Sequence, residues 1–510
     1  MLGKILTVGT IGLDCYLVEV EADIMPSPTA KFIMVGLADT MVQEARERVR
    51  SACDASGLRF PRSKVVTNLA PADIRKEGSW FDLPIAISVL LHKDLVTLGQ
   101  ADLQAVYLGE LSLTGEVRPV KGVLNMVWNI QRLGCKRVYV PLSNLAEAQL
   151  VPDIEIIPVR TLRQLARHLN GKEIIVTPPI SPSVSATVVA APVSFDDIRG
   201  QDQAKRLLEI AAAGGHNVFF SGSPGAGKTL LAKSLLSIMP DMGLDEAMEV
   251  SRIYSYAGLL PSDQPLMRQR PFRSPHHSSS QVSLVGGGSW PKPGEITLAH
   301  RGVLFLDELP EFPRQVLDAL RQPLEEKSVH IARAHSAVSF PAGFMLVAAA
   351  NPCTCGYYGS QVRDCICRPS QVSQYQRRVS GPLLDRIDLY LDIAPVPSEQ
   401  LLDSRRVSES SHVVKDRVSQ ARTIQTLRYK GQPFNVNADI SSRQLERYCP
   451  LDVQSRSIIA QASNSLQLSS RSIHKVIKVA RTIADLAGQE SIAPDHVLEA
   501  LQYRRQQTES

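Results

Sequence analysis

A chain of 510 residues, 44% apolar and 21% charged, exceeds what one hydrophobic core organises, so two to four domains are expected. Its formal net charge of +5 permits an anionic partner without requiring one, and no run of about 18 apolar residues is present to span a membrane. The eight cysteines, four scattered (Cys15, Cys53, Cys135, Cys449) and four clustered, exclude a secreted disulfide scaffold, and the opening MLGKILTVGTIGLDCYLVEV is too broken by glycines, Asp14 and Glu19 to be a signal peptide. A cytoplasmic location is the expectation.

Residues 1–172 alternate short β-rich runs (CYLVEVEA, AKFIMVGL, SKVVTNL) with helical stretches such as DTMVQEARERVRSAC, where Val42, Ala45, Val49 and Ala52 share a face. This reads as one α/β domain. Residues 173–193 include TPPISPSVSATVVAAP, rich in Pro, Ser and Thr without periodicity, and read as a linker. Residues 194–396 open a second α/β unit, whose apolar runs NVFFSG, GVLFLDE and FMLVAAAN have the length of buried parallel strands. From 397 to 510 the apolar spacing becomes helical, in VVKDRVSQARTIQTL, SSRQLERYC and SIHKVIKVARTIADLAG. The fold expected is α/β throughout, with a mainly helical C-terminal lid.

Within the second unit GSPGAGKT, comprising Gly222, Ser223, Pro224, Gly225, Ala226, Gly227, Lys228 and Thr229, satisfies G-x-x-x-x-G-K-[ST] between a strand and a helix. The glycines let backbone N–H groups face phosphates, Lys228 reaches the β and γ oxygens, and the Thr229 hydroxyl is a ligand for Mg2+. ATP with Mg2+ is the expected cofactor pair. A basic, glycine-rich segment follows, in which Arg268, Arg270, Arg273 and Lys292 are candidates for phosphate contact and His276, His277 and Trp290 look exposed. Packing against a neighbouring subunit explains such a segment equally well. VLFLDE then ends a buried strand in Asp307, expected to hold Mg2+ through water, and Glu308, expected to polarise the attacking water. Asn351 ends the next strand, where its amide can position the same water.

Cys353-x-Cys355 and Cys365-x-Cys367 supply four soft ligands from two knuckles, a set that suits structural Zn2+; packed thiols and two reversible disulfides are the other readings. Arg386, in SGPLLDRIDLYLDI, precedes another apolar strand and is the candidate arginine finger, a group that a neighbouring subunit can supply. Arg471, at the start of a C-terminal helix, is a candidate for reporting nucleotide state to the lid.

The order of these elements, with RPFRSPHHSSS, PGEITLAHRGVLFLDELPEFPRQVLDALRQPLE, VAAANPCTCGYYGS and SRSIHKVIKVARTIADL, resembles the ComM/YifB group of magnesium-chelatase-like AAA+ ATPases along essentially the whole chain. The resemblance implies that Asn351 is the sensor-1 residue, Arg386 the finger and Arg471 the sensor-2 residue, in a hexameric ring. Members of known role are DNA motors that promote branch migration during natural transformation, so single-stranded or branched DNA is the implied partner. The alternative is a chelatase motor subunit acting on a protein or porphyrin-handling client. KEGSWFDLPIAISVLL and YLGELSLTGEVRPVKGV also resemble the proteolytic domain of Lon. There Gly78, Ser79, Trp80, Phe81 and Asp82 match the G-P-S-A-G nucleophile stretch, which puts Trp80 at the serine and Leu124 about where the lysine belongs. The resemblance therefore implies a protease fold without its Ser-Lys pair, reused for assembly or DNA contact; a dyad shifted by one position to Ser79 with a nearby lysine is the other reading.

Overall fold

The computed structural model describes residues 3–179, 193–261, 263–288, 291–333, 336–360, 363–397 and 409–504. Trp290 and residues 180–192 of the expected linker lie outside the described residues. The chain forms two compact units. Met1–Thr187 with Leu244–Met267 and Ala332–Val338 make the first, and Val188–Gly243 with Arg268–Ile331 and Ser339–Ser510 the second.

The first unit is built on a mixed seven-stranded sheet. Its strands are β1 (Gly3–Ile11), β2 (Asp14–Met25), β3 (Phe32–Val35), β4 (Lys64–Ala70), β5 (Val106–Tyr107), β6 (Arg137–Pro141) and β7 (Glu155–Val159), in the order β3-β4-β2-β1-β5-β6-β7. Helix α1 (Thr40–Ala55) buries Val42, Ala45, Val49 and Ala52, the face read from their spacing, and Asp39 caps it by accepting the Val42 N–H at 2.8 Å. Helix α2 (Asp82–His92) is buried over most of its length.

The positions that match a Lon nucleophile and lysine are used for packing. Trp80 Nε1 donates to Val8 O of β1 at 2.8 Å. Asp82 is buried and takes two hydrogen bonds from Arg48, at 2.6 and 2.9 Å, while Leu124 is buried in α3 (Val123–Arg132). An indole and an isobutyl group offer no nucleophile and no base.

Two segments of this unit differ in context from their sequence reading. Beyond α4 (Leu162–Leu169), Ile175 is buried and Thr177 Oγ1 donates to Ile156 O of β7 at 2.6 Å, so the described start of the expected linker lies along the sheet. The helix Leu244–Ala257, expected within the ATPase core, packs on α3: the Arg252 guanidinium reaches Asn125 Oδ1 at 3.1 Å and stacks over Trp128, and Ser255 Oγ donates to Glu147 at 2.8 Å. An amphipathic helix declares a buried face but not the surface that covers it.

The second unit carries a parallel five-stranded sheet of β8 (Val218–Gly222), β9 (Phe272–Arg273), β10 (Val303–Leu306), β11 (Met345–Ala350) and β12 (Leu389–Ile393), in the order β9-β10-β11-β8-β12. Chain order and spatial order reverse around β8, so the loops at the carboxyl ends of β8, β10 and β11 open onto one crevice. Every residue of β10 and β11 is buried, as their unbroken apolar runs require. One core joins Val218, Phe220, Phe305, Val347 and Leu389 to α5 (Asp202–Gly214), α6 (Lys228–Ile238), α7 (Ser411–Arg428), α8 (Ser470–Leu486) and α9 (Pro494–Gln502). The C-terminal helices thus share the core of the sheet. Among the described residues no helix is long and apolar enough to cross a membrane.

Candidate active site

The phosphate loop leaves β8 and ends at the first turn of α6. Gly225 and Gly227 have φ of +79° and +90°, the left-handed region that a Cβ disfavours, although a Cβ at either position would meet no neighbour. Conformation, not space, demands glycine there. Gly222 is different: a Cβ would lie 2.6 Å from Ile393 O of β12, so that strand closes on the loop only because the side chain is missing.

Lys228 Nζ donates to Gly222 O at 2.7 Å, to Ser223 O at 3.0 Å and to Asn351 Oδ1 at 3.0 Å. Burial draws this ammonium below its ordinary range, while the carboxylates of Asp307 and Glu308 pull the other way. Thr229 Oγ1 donates to Asp307 Oδ2 at 2.8 Å. A hydroxyl and a carboxylate facing each other beside a lysine form a hard oxygen pair of the kind Mg2+ takes with nucleotide phosphates, so these residues fit the expected cofactors. Five elements expected from sequence, Lys228, Thr229, Asp307, Glu308 and Asn351, meet at the carboxyl edge of the sheet.

Glu308 leaves the strand with φ of +51°, and its N–H donates to Asp307 Oδ1 at 2.9 Å. Its side chain points to His277, whose Nδ1 lies 3.2 Å from Glu308 Oε2, and the His277 ring lies 4.0 Å from that of His276. From the sequence the histidine pair looks merely exposed. Its actual place follows from strand register: β9 and β10 are parallel with Arg273 opposite Leu304, so four residues further on His277 comes level with Glu308.

Arg386 and Arg471 are not at this edge. Arg386 precedes β12; its guanidinium pairs with Glu325 Oε1 at 2.6 Å and donates to Arg321 O at 3.1 Å. Arg386 and the exposed Arg471 line one cavity of about 840 Å³ together with Asn217 and Asp388, the residues just before β8 and β12. That is the amino edge of the sheet. A buried polar group holds it together. Asp388 accepts the Asn217 N–H at 2.9 Å, lies 3.2 Å from Lys475 Nζ of α8 and 3.8 Å from His216, and Asn217 Nδ2 donates to Arg386 O at 3.1 Å. Burial alone would push the Asp388 carboxyl up, but Lys475, His216 and the Asn217 N–H hold it well below the usual carboxylate range.

Of the cations proposed for phosphate contact, two serve the fold instead. Arg270 donates to Pro240 O and Arg301 O, both at 2.7 Å, and Arg273 forms a bidentate pair with Glu295 at 2.6 and 2.7 Å. Arg268 and Lys292 remain exposed. The Sγ atoms of Cys353, Cys355, Cys365 and Cys367 lie within 4.8 Å of one another, just beyond Asn351.

Comparison with known proteins agrees with this geometry. A family model described as magnesium chelatase, subunit ChlI, matches residues 194–401; one for subunit ChlI of Mg-chelatase matches 20–144, and one for the ChlI C-terminal region matches 408–504. The chain is 41% identical over 506 residues to competence protein ComM of Haemophilus influenzae, covering 97% of this chain and 96% of that protein. It is 43% identical over 475 residues to an uncharacterized protein, YifB, of Salmonella typhimurium, covering 92% and 91%. A more distant likeness, 27% over 178 residues, joins it to a Lon protease of Methanosarcina barkeri, over 32% of this chain and 21% of that protein. With a phosphate loop, paired acids and a polar strand-end residue assembled at one sheet edge, and relatives matching nearly end to end, this chain belongs to the ComM/YifB family of magnesium-chelatase-like AAA+ ATPases.

Proposed function

We propose that this protein is a DNA translocase that works in the cytoplasm as a hexameric ring, hydrolysing ATP to drive branch migration as incoming DNA is recombined during natural transformation. The observation that carries the ring is the division of the hydrolytic set between two edges of one sheet. Lys228, Thr229, Asp307, Glu308 and Asn351 gather at the carboxyl edge, and Arg386 and Arg471 line a cavity at the amino edge. β8 has five residues, and at about 3.3 Å per residue the edges are roughly 16 Å apart. A guanidinium on the far edge is out of reach of its own γ phosphate; released from Glu325, Arg386 can serve that of a neighbour.

Within one site the roles follow from position. Backbone N–H groups of the loop and Lys228 hold the β and γ phosphates, and Thr229 and Asp307 hold Mg2+, which neutralises charge on those oxygens. Glu308 takes the proton of the attacking water once its carboxylate turns from His277, and Asn351 orients that water. Arg386 of the next subunit stabilises the charge that builds on the transferred phosphoryl group, and Arg471 reports its presence to the helical region. The four cysteines hold a structural zinc ion. DNA is supported as the client by the competence protein among the relatives and by the exposed cations Arg268 and Lys292.

A chelatase motor is the second reading, favoured by the three family models that carry that name. ATP turnover by the purified chain, with and without single-stranded and branched DNA and with Lys228→Ala as the blank, separates the two. Stimulation by DNA that the blank lacks supports the translocase; turnover indifferent to every DNA moves the assignment to a protein or porphyrin-handling client.

A further inference from the structure

The loop after β11 leaves Asn351 and makes two cysteine knuckles, and among its described residues no helix or strand occurs until Pro369. Its sulfurs are spaced for a single ion. Cys353 and Cys355 are 3.3 Å apart, Cys355 and Cys365 3.6 Å, and Cys353 and Cys365 3.7 Å, with Cys367 completing the set inside the 4.8 Å limit. Four thiolates around one tetrahedral zinc, each about 2.3 Å from the metal, sit about 3.8 Å from one another. An iron–sulfur cluster shares its cysteines among two or more irons and needs them farther apart.

The same loop touches the ATP site. After the first knuckle Gly356, its N–H bonded to Cys353 O at 3.0 Å, adopts φ of +87° and lies flat against the phosphate loop. A Cβ at this position would fall 2.6 Å from Cδ and 2.7 Å from Cγ of Pro224, and 3.9 Å from Cγ of Asn351. Pro224 belongs to the loop that Lys228 closes through its bonds to Gly222 O and Ser223 O, and Asn351 accepts from the same ammonium. The first knuckle therefore backs the Pro224 wall of the lysine's seat directly and lies beside Asn351.

We infer that the four cysteines form a mononuclear zinc site that braces Pro224 and Asn351, so that metal occupancy sets the affinity of the phosphate loop for nucleotide. The inference rests on the zinc reading above and adds a coupling to it. Metal binding in a loop of this kind replaces the hydrophobic core that so short a segment lacks, so the energy of ligation holds the Gly356 turn in place. With the ion gone, the turn is free to leave Pro224, and the loop loses the surface that fixes its curl. Loss of one well-aligned hydrogen bond to a phosphate, about 1.4 kcal/mol, is a tenfold loss of affinity.

The test uses the full-length protein. Zinc and iron are counted by elemental analysis, and the Kd of a fluorescent ATP analogue is measured before and after the metal is released with a mercurial reagent and again after thiol reduction and zinc return. The brace predicts about one zinc per chain, affinity weakened about tenfold on release, and recovery on return. Protein isolated with iron or with no metal overturns the zinc reading itself. Zinc present, with unchanged nucleotide affinity after its release, overturns the brace and leaves the zinc reading standing. Gly356→Ala gives a route that leaves all four ligands in place: its methyl group presses on Pro224, and the variant should keep its zinc and bind nucleotide several-fold more weakly. Wild-type affinity in that zinc-loaded variant also overturns the brace.

Discussion

The two edges of the ATPase sheet are made by the same strands and do opposite things. At the carboxyl edge the strands release short loops whose polar groups converge: Lys228 is bonded to two carbonyls and Asn351, and Thr229 to Asp307. At the amino edge Asp388 and Lys475 form a buried ion pair, and the cationic groups beyond it, Arg386 and Arg471, face a cavity with no carboxylate pair of the Asp307–Glu308 kind among its lining residues. One edge gathers its polar groups around its own phosphate loop; at the other Arg386 rests paired with Glu325 and Arg471 is exposed. On the proposed reading the site needs both edges and is complete only between copies, so each edge can be broken separately.

The largest effect is expected from Arg386→Ala. Loss of a finger costs about 10³-fold in hydrolysis. Nucleotide binding to the variant's own loop should be nearly unchanged, as measured by equilibrium titration. The sharper measurement mixes subunits: Arg386→Ala and Glu308→Gln chains, each inactive alone, should recover partial turnover together, because some interfaces then pair an intact Glu308 with an intact Arg386. Absence of any recovery in a ring shown to contain both chains would place the finger's action inside its own subunit and refute the division between edges.

Next comes the polar group that supports Arg386. Lys475→Met leaves the Asp388 carboxylate buried with one partner fewer, a change that costs about 3 kcal/mol or more in stability, read by denaturant or thermal unfolding of the ATPase unit. Adding Asp388→Asn should return a large part of that loss, since a neutral amide no longer needs the ammonium. Two losses that simply add would show that the pair is not coupled. On the other edge, Glu308→Gln should bind ATP with wild-type affinity and hydrolyse it about 10²-fold more slowly, since only the proton transfer is removed.

These edges were not equally legible in the sequence. The phosphate loop, Asp307, Glu308 and Asn351 lie at ends of strands that are themselves plain in the sequence, and each role depends on one residue's place along one element. Arg386 was placed by the same logic. What could not be read was whatever depends on a second element. Arg270 and Arg273 looked available for DNA, but a basic side chain carries no sign of the carbonyls or the Glu295 carboxylate that engage it. Residues 244–257 fell inside the stretch read as the ATPase core, and nothing in them said that α3 would cover the helix they form. Arg471 could be put at the start of a helix, but which sheet edge that helix reaches is decided by packing of α8 against α5 and α7. The Lon-like region was legible in the opposite sense: Trp80 and Leu124 named the missing chemistry before the structure showed them packed.

His277 is the smallest expected effect and the one that tests strand register most directly. Its Nδ1 is 3.2 Å from Glu308 Oε2 with side chains 34% and 51% exposed, so in water the contact is worth at most about 1 kcal/mol. On the proposed reading, in which Glu308 is the base, a contact that keeps its carboxylate at His277 stabilises the resting arrangement and not the reacting one. Removing it should therefore accelerate basal turnover, by no more than about fivefold, the rate equivalent of that energy. His277→Ala measured without DNA should show this rise while leaving nucleotide affinity unchanged. If DNA draws the loop after β9 away from Glu308, the same variant should also gain less from DNA than the wild type does, because part of the release has already occurred. A fall in basal turnover would mean instead that His277 helps place Glu308 for catalysis, and the contact would then belong to the working site and not to its resting state.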